Sequence, residues 1–136
     1  MSYTQDQMIA MFNQLQQSLL EKQTQTEAAI TNINSYLTPN TAKAAKTGNM
    51  VDITFLATVK TTHTLNGSGG IQIGIIPEEY RPQLTTIRTV YVAQGAVCKL
   101  AILWVIPTGS LMVYSADASL NMAVGHTYRI CTTYQL

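Results

Sequence analysis

The sequence has 136 residues, enough for one domain of ordinary size. Its 8 Lys and Arg nearly balance its 7 Asp and Glu, so the chain lacks the strongly basic character that marks many nucleic-acid-binding proteins. Only 11% of the residues are charged and 46% are hydrophobic, against about 25% charged in a typical soluble domain, so we expect another subunit to cover part of the surface.

The first predicted element is a helix over residues 4–37, a stretch without Gly or Pro that is rich in Gln, Leu, Met and Ala. Apolar residues recur there at the three- and four-residue steps of a coiled-coil seam: Met8, Phe12, Leu15, Leu19, Ile30, Ile33 and Leu37. Between the two groups the seam passes through Gln23 and Thr26 by successive steps of four, a stutter that locally unwinds a supercoil. A single helix packed on its own β domain is the alternative. The narrow stripe and a length of roughly 50 Å favour a coiled-coil stalk.

Three regions are predicted along the chain. Residues 1–38 form the helical stalk, which ends because a residue before proline, here Thr38, is disfavoured in a helix. Residues 39–49 form a polar linker, and residues 50–136 form an all-β head. Strands are predicted over residues 51–59, 71–76, 85–94, 97–106, 111–114, 120–123 and 127–134. Short strands separated by turn residues favour an antiparallel β-sandwich or jelly roll.

Catalytic and metal-binding patterns are scarce. Glu78 and Glu79 are adjacent and point apart in an extended segment, so they do not form an acid/base pair across one bond. His63 and His126 lack the spacing of metal ligands, although three copies of one histidine could meet on a trimer axis and bind an ion. Gly67–Gly70 lacks the Lys and helix of a phosphate-binding loop. We therefore expect no enzyme activity, no cofactor and no metal.

Membrane insertion and disulfide bonding are not expected either. The longest apolar run, Leu100–Ile106, is much shorter than the ~20 residues of a membrane-spanning helix. Met1–Ile9 lacks the basic start and apolar core of a signal peptide. Cys98 and Cys131 are predicted to be free, buried thiols of a protein made in a reducing cytoplasm, and their pairing is left open.

Two motifs of the predicted head resemble a known family. The segment Gly74–Pro82, which ends in Tyr-Arg-Pro, resembles a short signature in the heads of trimeric receptor-binding and tail-fibre proteins of phages that infect Gram-positive bacteria. Glu79 stands where that signature usually has glycine. Val105–Tyr114 resembles their hairpin, which turns through Gly-Ser into an apolar-Val-Tyr strand, and the strand over Tyr128–Tyr134 also fits. The resemblance covers about residues 50–136 and implies a homotrimer, a β-sandwich head and adhesion to host carbohydrate. We interpret the Tyr-Arg-Pro loop as structural.

Carbohydrate sites usually combine an aromatic face with polar side chains, and loops on a rigid scaffold often carry them. On that basis the candidate saccharide-binding residues are Trp104, Asp117, Asn121, His126 and His63. Trp104 shares a strand face with Leu100 and Ile102, so a place in the core or in a trimer interface is the alternative. A solvated loop carboxylate is the alternative for Asp117.

Two functions follow from these expectations. The first is a phage adhesin at the tail tip or baseplate, made in the host cytoplasm, that recognises a host cell-surface saccharide. The second is a structural virion component, such as a capsid head fibre or decoration spike. The expected partners are two further copies of the chain, a host saccharide and another virion protein at the N-terminus, without nucleic acid or membrane insertion.

Overall fold

A helix is followed by ten strands in the described part of the chain. The computed structural model describes residues 2–23 and 25–136, with the side chains of residues 2–18 and 25–136. In chain order the elements are α1 (Gln5–Gln23), β1 (Gln25–Ala29), β2 (Leu37–Thr47), β3 (Met50–Val59), β4 (His63–Leu65), β5 (Ile71–Ile75), a short 3-10 helix (Glu78–Tyr80), β6 (Thr86–Gln94), β7 (Val97–Val105), β8 (Ser110–Ser115), β9 (Leu120–Met122) and β10 (Thr127–Gln135).

Helix α1 begins with a reciprocal cap. The backbone N–H of Gln7 donates to Thr4 Oγ1 at 3.2 Å, and the N–H of Thr4 donates to Gln7 Oε1 at 3.0 Å, so two N–H groups at the helix start are satisfied. The side chains described along α1 are all exposed. They include three predicted seam residues: Met8, Phe12 and Leu15. The side chain of Leu19 lies outside the described residues. Among the described residues, no helix has both the length and the apolar content needed to cross a bilayer.

The helix ends at Gln23, so the second half of the predicted coiled-coil seam is wrong. Thr26 lies in β1, and the predicted stutter does not form. Ile30 and Leu37 are 5% and 2% exposed in the core of the β domain, and Ile33 packs against the same core. The predicted stalk of 38 residues is therefore a helix of 19 residues, and the β domain begins at β1.

A turn explains why these apolar residues mimic helical spacing. Asn32 has a φ of 51°, a left-handed conformation that Asn tolerates better than most residues. Asn34 Oδ1 accepts the backbone N–H of Tyr36 at 2.9 Å, and its carbonyl accepts the N–H of Leu37. The chain thus reverses within one short segment and returns two apolar side chains to the same core.

The predicted linker over residues 39–49 is also wrong, because β2 occupies most of it. This strand pairs antiparallel with β1 on one side and β3 on the other. Ala44 and Ala45 are buried, although Ala is poor in intrinsic strand preference. The register shifts between Pro39 and Thr41, and such irregular positions accommodate proline in a strand. Pairing with two neighbours therefore decides the structure of this stretch.

Eight strands form one antiparallel sheet in the order β1-β2-β3-β10-β6-β7-β8-β5. The sheet curls until its two ends meet, and the backbones of Thr31 and Ile75 exchange hydrogen bonds of 2.9 and 2.8 Å. The approach requires Gly74, because a Cβ there would lie 2.5 Å from Ile30 Cγ2. The predicted mainly β head is confirmed, but a single curled sheet replaces the predicted two-sheet sandwich.

Alternation along the strands places one set of side chains in the core. On β3, Val51, Ile53 and Phe55 are buried, as the pattern over residues 51–59 predicts. On β6, Val90 and Val92 are buried. The strands β4 and β9 form a separate ribbon that contributes two further buried side chains, Leu65 and Met122.

The outer face of the sheet has two parts. On β2, β3 and β10 it is mostly polar, and we call this part the polar face: Lys43, Asp52, Thr54, Thr58, Arg129, Cys131 and Thr133. On β6, β7 and β8 it is mostly apolar, and we call this part the apolar patch: Ile87, Tyr91, Leu100, Ile102, Trp104, Met112 and Tyr114.

The loop that contains the Tyr-Arg-Pro sequence fastens several segments together. Tyr134 Oη donates to the carbonyl of Tyr80 at 2.5 Å, and Tyr80 Oη donates to Thr26 Oγ1 at 3.0 Å. Arg81 Nε donates to the carbonyl of Ile76 at 3.0 Å. The interpretation of this loop as structural is confirmed.

The two cysteines differ from the prediction in their burial. Cys98 and Cys131 are both free, as expected, but both are exposed. Cys131 points outward from β10 because its neighbour Ile130 fills the core. Cys98 lies near the start of β7, beside an exposed turn.

Candidate functional site

Two loops meet at one end of the domain and fix the position of Asp117. The backbone N–H of Ser115 donates to the carbonyl of Asn66 at 2.9 Å, and Ser119 Oγ donates to Asn66 Oδ1 at 2.9 Å. Ser115 Oγ also donates to the carbonyl of Ala118 at 2.5 Å. These bonds hold the segment between β8 and β9 in a tight turn, and Asp117 is exposed at its tip.

Asp117 borders an open cleft of about 380 Å³ at this end of the sheet. The cleft is lined by Cys98, Lys99, Leu100, Ser115, Ala116, Asp117, Ala118 and Leu120. Its lining offers a carboxylate that accepts hydrogen bonds and an ammonium that donates them. The leucines supply an apolar wall between the polar groups. This combination suits a ligand that has hydroxyl groups on an apolar ring. We call this site the Asp117 cleft.

Asn121 lies close to the cleft because β9 directly follows the Asp117 loop. Asn121 is exposed, and its backbone carbonyl accepts a hydrogen bond of 3.0 Å from Gln94 Nε2 at the end of β6. That bond ties the β4–β9 ribbon to the turn before β7. Of the five predicted saccharide-binding residues, Asp117 and Asn121 are therefore joined to the same loop and ribbon.

His63 lies in a stack of aromatic rings within the domain. Its ring lies between those of Tyr36 and Tyr128, with centroids 5.0 and 5.8 Å away. Its Nδ1 is 2.9 Å from the carbonyl of Thr61 and must donate, because a carbonyl only accepts. Its Nε2, 2.6 Å from Tyr128 Oη, then accepts from the phenol in the neutral ring. Burial raises the pKa of Tyr128, so that hydroxyl keeps its proton at neutral pH. Both ring nitrogens are engaged, and this geometry favours a structural role.

His126 lies in the turn between β9 and β10. Its Nδ1 accepts the backbone N–H of Ala123 at 3.0 Å, and its own carbonyl accepts the N–H of Val59. The ring is half-buried and closes the turn. His126 is thus held against the end of β3, and its contact with a saccharide stays a prediction.

Trp104 lies on the apolar patch and not in the core. It is 37% exposed, and its ring is tilted by 47° against that of Tyr114 at a centroid distance of 5.2 Å. Leu100, which does line the Asp117 cleft, is four residues earlier on the same strand, about 13 Å away at ~3.3 Å per residue. The structure does not bring Trp104 to the cleft, although one face connects the two.

Lys99 and Leu100 were not predicted from the sequence as neighbours of Asp117. The hairpin turn before Ser110 contains the signal that could have found them, since counting back along the two strands pairs Ala101 with Ser115. A second cavity, of about 390 Å³, was missed on the polar face; it is lined by Asn40, Leu56, Ala57, Thr127, Tyr128 and Arg129. It depends on the irregular register of β2, which no local pattern shows.

The described residues hold no group of three or more His, Cys, Asp or Glu placed to bind a metal ion. The chain matches no protein-family model and no curated protein. It is similar in fold to a solved structure, the crystal structure of the receptor binding protein (gp15) of Listeria phage PSA. The TM-score is 0.64 at 11% sequence identity, and the match covers 99% of this chain and 82% of that one.

Proposed function

We propose that this protein is a phage virion adhesin whose head binds a host cell-surface saccharide in the Asp117 cleft. The observation that carries the proposal is the fold likeness to a phage receptor binding protein over 99% of the chain. The motifs over Gly74–Pro82 and Val105–Tyr114 support it independently. In this proposal the N-terminal helix attaches the chain to another virion protein at the tail tip or baseplate.

The chemistry of the cleft suits a sugar. The Asp117 carboxylate accepts hydrogen bonds from sugar hydroxyls, and such charge-assisted bonds are about twice as strong as neutral ones. The Lys99 ammonium donates to ring or acetyl oxygens on the other side. Leu100 and Leu120 cover the apolar face of the ring.

Three copies act together in the proposed adhesin. A shallow cleft binds one sugar weakly, and linked heads raise the effective concentration of the second and third contacts. The exposed seam of Met8, Phe12 and Leu15 on α1 supports association of the helices. A native mass near three times 14.9 kDa tests this part of the proposal, and a monomer contradicts it.

The decisive experiment is binding of the full chain to an array of cell-wall saccharides and to host cells. We expect Asp117→Ala to weaken binding by about tenfold or more, the loss expected for hydrogen bonds to a charged group. Glu79→Ala is the matched control, because Glu79 is an exposed carboxylate outside the cleft. Trp104→Ala separates a contribution of the apolar patch from that of the cleft.

The alternative function, a structural virion component without a receptor role, gives a different result. The wild-type chain would then bind neither the saccharides nor the host cells, and it would still be present on the particle. Binding that is equally strong in Asp117→Ala and in Glu79→Ala would keep the adhesin role but reject the cleft.

A further inference from the structure

We propose that the apolar patch on β6, β7 and β8 is the surface through which copies of this chain pack against each other. The inference rests on the trimer part of the proposed function and names the surface that forms it. The patch consists of neighbouring side chains across three strands. Its cross-strand pairs are Ile87 with Trp104, Tyr91 with Leu100, Ile102 with Tyr114 and Trp104 with Met112.

The exposed area of the patch is large for a free surface. Ile87 and Tyr91 are 52% exposed, Leu100 is 50% exposed and Trp104 is 37% exposed. With an area on the order of 200 Å² for each large side chain, these four expose roughly 400 Å². The largest apolar patch of a small domain often has this size and is often functional. The patch is therefore a candidate interaction surface.

The composition of the patch is that of the centre of a protein–protein interface. Between residues 100 and 116 the sequence contains no charged residue. Tyr, Trp and Met are enriched at interface centres, and charges are depleted there. One charged side chain borders the patch on the same face: Arg129, which lies opposite Tyr91 on the next strand. The patch therefore has an apolar centre with a charge at its edge.

A second copy of the chain is the occupant that these features favour. The patch is uncharged, so copies of it can converge around a common axis without charge repulsion, and each copy covers surface that its neighbours leave exposed. A standard interface buries about 800 Å² on each partner, and the patch alone supplies roughly half of that. The exposed apolar side chains of α1 provide further area in the same assembly. A sugar is a poor occupant, because the patch offers only the hydroxyls of Thr89, Tyr91 and Tyr114 as polar side-chain groups.

Packing of the patches also affects the Asp117 cleft. Leu100 belongs to both surfaces, since it lines the cleft and pairs with Tyr91 in the patch. A neighbouring copy seated on the patch then borders the cleft on the side of Leu100. The saccharide site is thus completed at the edge of the interface.

The test compares two outward substitutions on the full chain. Ile102→Glu places a charge at the centre of the patch, and Thr54→Glu places the same charge on the polar face of β3. We expect light scattering to give a multiple of 14.9 kDa for the wild type and for Thr54→Glu, and a lower mass for Ile102→Glu. Circular dichroism establishes that each variant is folded. If Ile102→Glu does not fold, Ile87→Ser replaces it, because Ile87 is 52% exposed in the patch and lies outside the Asp117 cleft.

Trp104 supplies a second, local measurement, because it is the only Trp of the chain and lies in the patch. We expect its emission to resist acrylamide in the assembled wild type and to be quenched severalfold more in Ile102→Glu. If the mass is unchanged but Trp104 becomes accessible, the helices hold the copies while the patches separate, which also supports the proposal.

Three results overturn the proposal. The first is a monomeric wild type at every concentration, and the second is equal quenching of Trp104 in the wild type and in Ile102→Glu. The third is binding of the wild-type monomer to phosphatidylcholine vesicles through the patch. Saccharide binding is measured separately on each variant. Loss of the adhesin function with an intact assembly, or a failed assembly with intact binding to single sugars, identifies which of the two proposals is wrong.

Discussion

The polar face and the apolar patch lie on the same side of one sheet but differ sharply in composition. Both rest on a continuous core, and β10 joins them. On β3 the outward residues next to buried Phe55 are Thr54 and Leu56, whereas on β7 the outward residues next to buried Leu103 are Ile102 and Trp104. The core constrains every second residue in both parts. The outward residues differ because their surroundings differ. The polar face contacts water, whereas the apolar patch, in our proposal, contacts another copy of the chain.

The largest effect is expected from the core, where the two parts should behave alike. Phe55→Ala below the polar face and Leu103→Ala below the apolar patch each remove a side chain that is 0% exposed. We expect losses of about 3–5 and 2–5 kcal/mol in the free energy of unfolding, because each leaves a cavity. Chemical denaturation measures both values, with Thr54→Ala as the outward control. Separate unfolding transitions for the two parts would contradict a single core.

The contact that closes the sheet should come next in size. In Gly74→Ala the new Cβ would approach Ile30 Cγ2 to 2.5 Å and the carbonyl of Thr31 to 3.2 Å, so the segment before β2 must move. We expect a loss of about 1–3 kcal/mol, the usual cost of overpacking. Gly69→Ala is the control, because its Cβ would meet only the amide of Asn66 at 4.0 Å. Equal stability of the two variants would show that the ends of the sheet do not need this close approach.

The stability of the domain at alkaline pH tests β10, the strand that joins the polar face to the apolar patch. Burial raises the pKa of Tyr128 and Tyr134 on β10 above the ordinary value of about 10. Above that pH the unfolded chain releases protons that the folded chain keeps, so stability is complete below about pH 10 and falls as the pH rises. The slope is at most about 1.4 kcal/mol per pH unit for each tyrosine. Denaturation at pH 9 and pH 11 measures it, and Tyr134→Phe should reduce the slope; an unchanged slope would assign the effect to other groups.

The smallest effect is expected on the surface of the polar face. Lys43 Nζ lies 3.4 Å from Glu27 Oε1, and both side chains are about half exposed. Exposed ion pairs contribute roughly 0.2–1 kcal/mol, so Lys43→Ala should cost no more than that and the cost should shrink at high salt. Thermal unfolding at low and high salt measures the difference. A salt-independent loss would indicate that the Lys43 alkyl chain, and not its charge, supports the strand.

The sequence predicts the strands after Met50 well, because strong alternation and clear turns define them. Every strand predicted after Met50 is present. The prediction for the residues before Met50 is wrong, because β1 (Gln25–Ala29) and the alanines of β2 have little strand preference of their own. Their structure comes from pairing with partners distant in sequence. The pair of asparagines at Asn32 and Asn34 was the local sign of a turn, and the apparent heptad spacing outweighed it.

The candidate site was predictable only in part. Asp117 and Asn121 stand out as polar residues near turns, and the structure joins them to one loop and ribbon. His63 was chosen on the same grounds, yet it lies in a stack whose partners, Tyr36 and Tyr128, come from distant parts of the chain. A lone residue in a loop gives no sign of such partners. Lys99 lies in the cleft because of the register between β7 and β8, and that register depends on the whole hairpin.

The position of β10 in the sheet determines when the domain can form during synthesis. It is the last strand in chain order, yet it lies between β3 and β6, where it pairs with both. The hairpin of β2 and β3 and the meander of β6, β7 and β8 can each form from local contacts as they leave the ribosome. They have no strand between them until residues 127–135 emerge. A chain interrupted before that point holds two unjoined parts with exposed strand edges, so the head can assemble only after residues 127–135 have emerged.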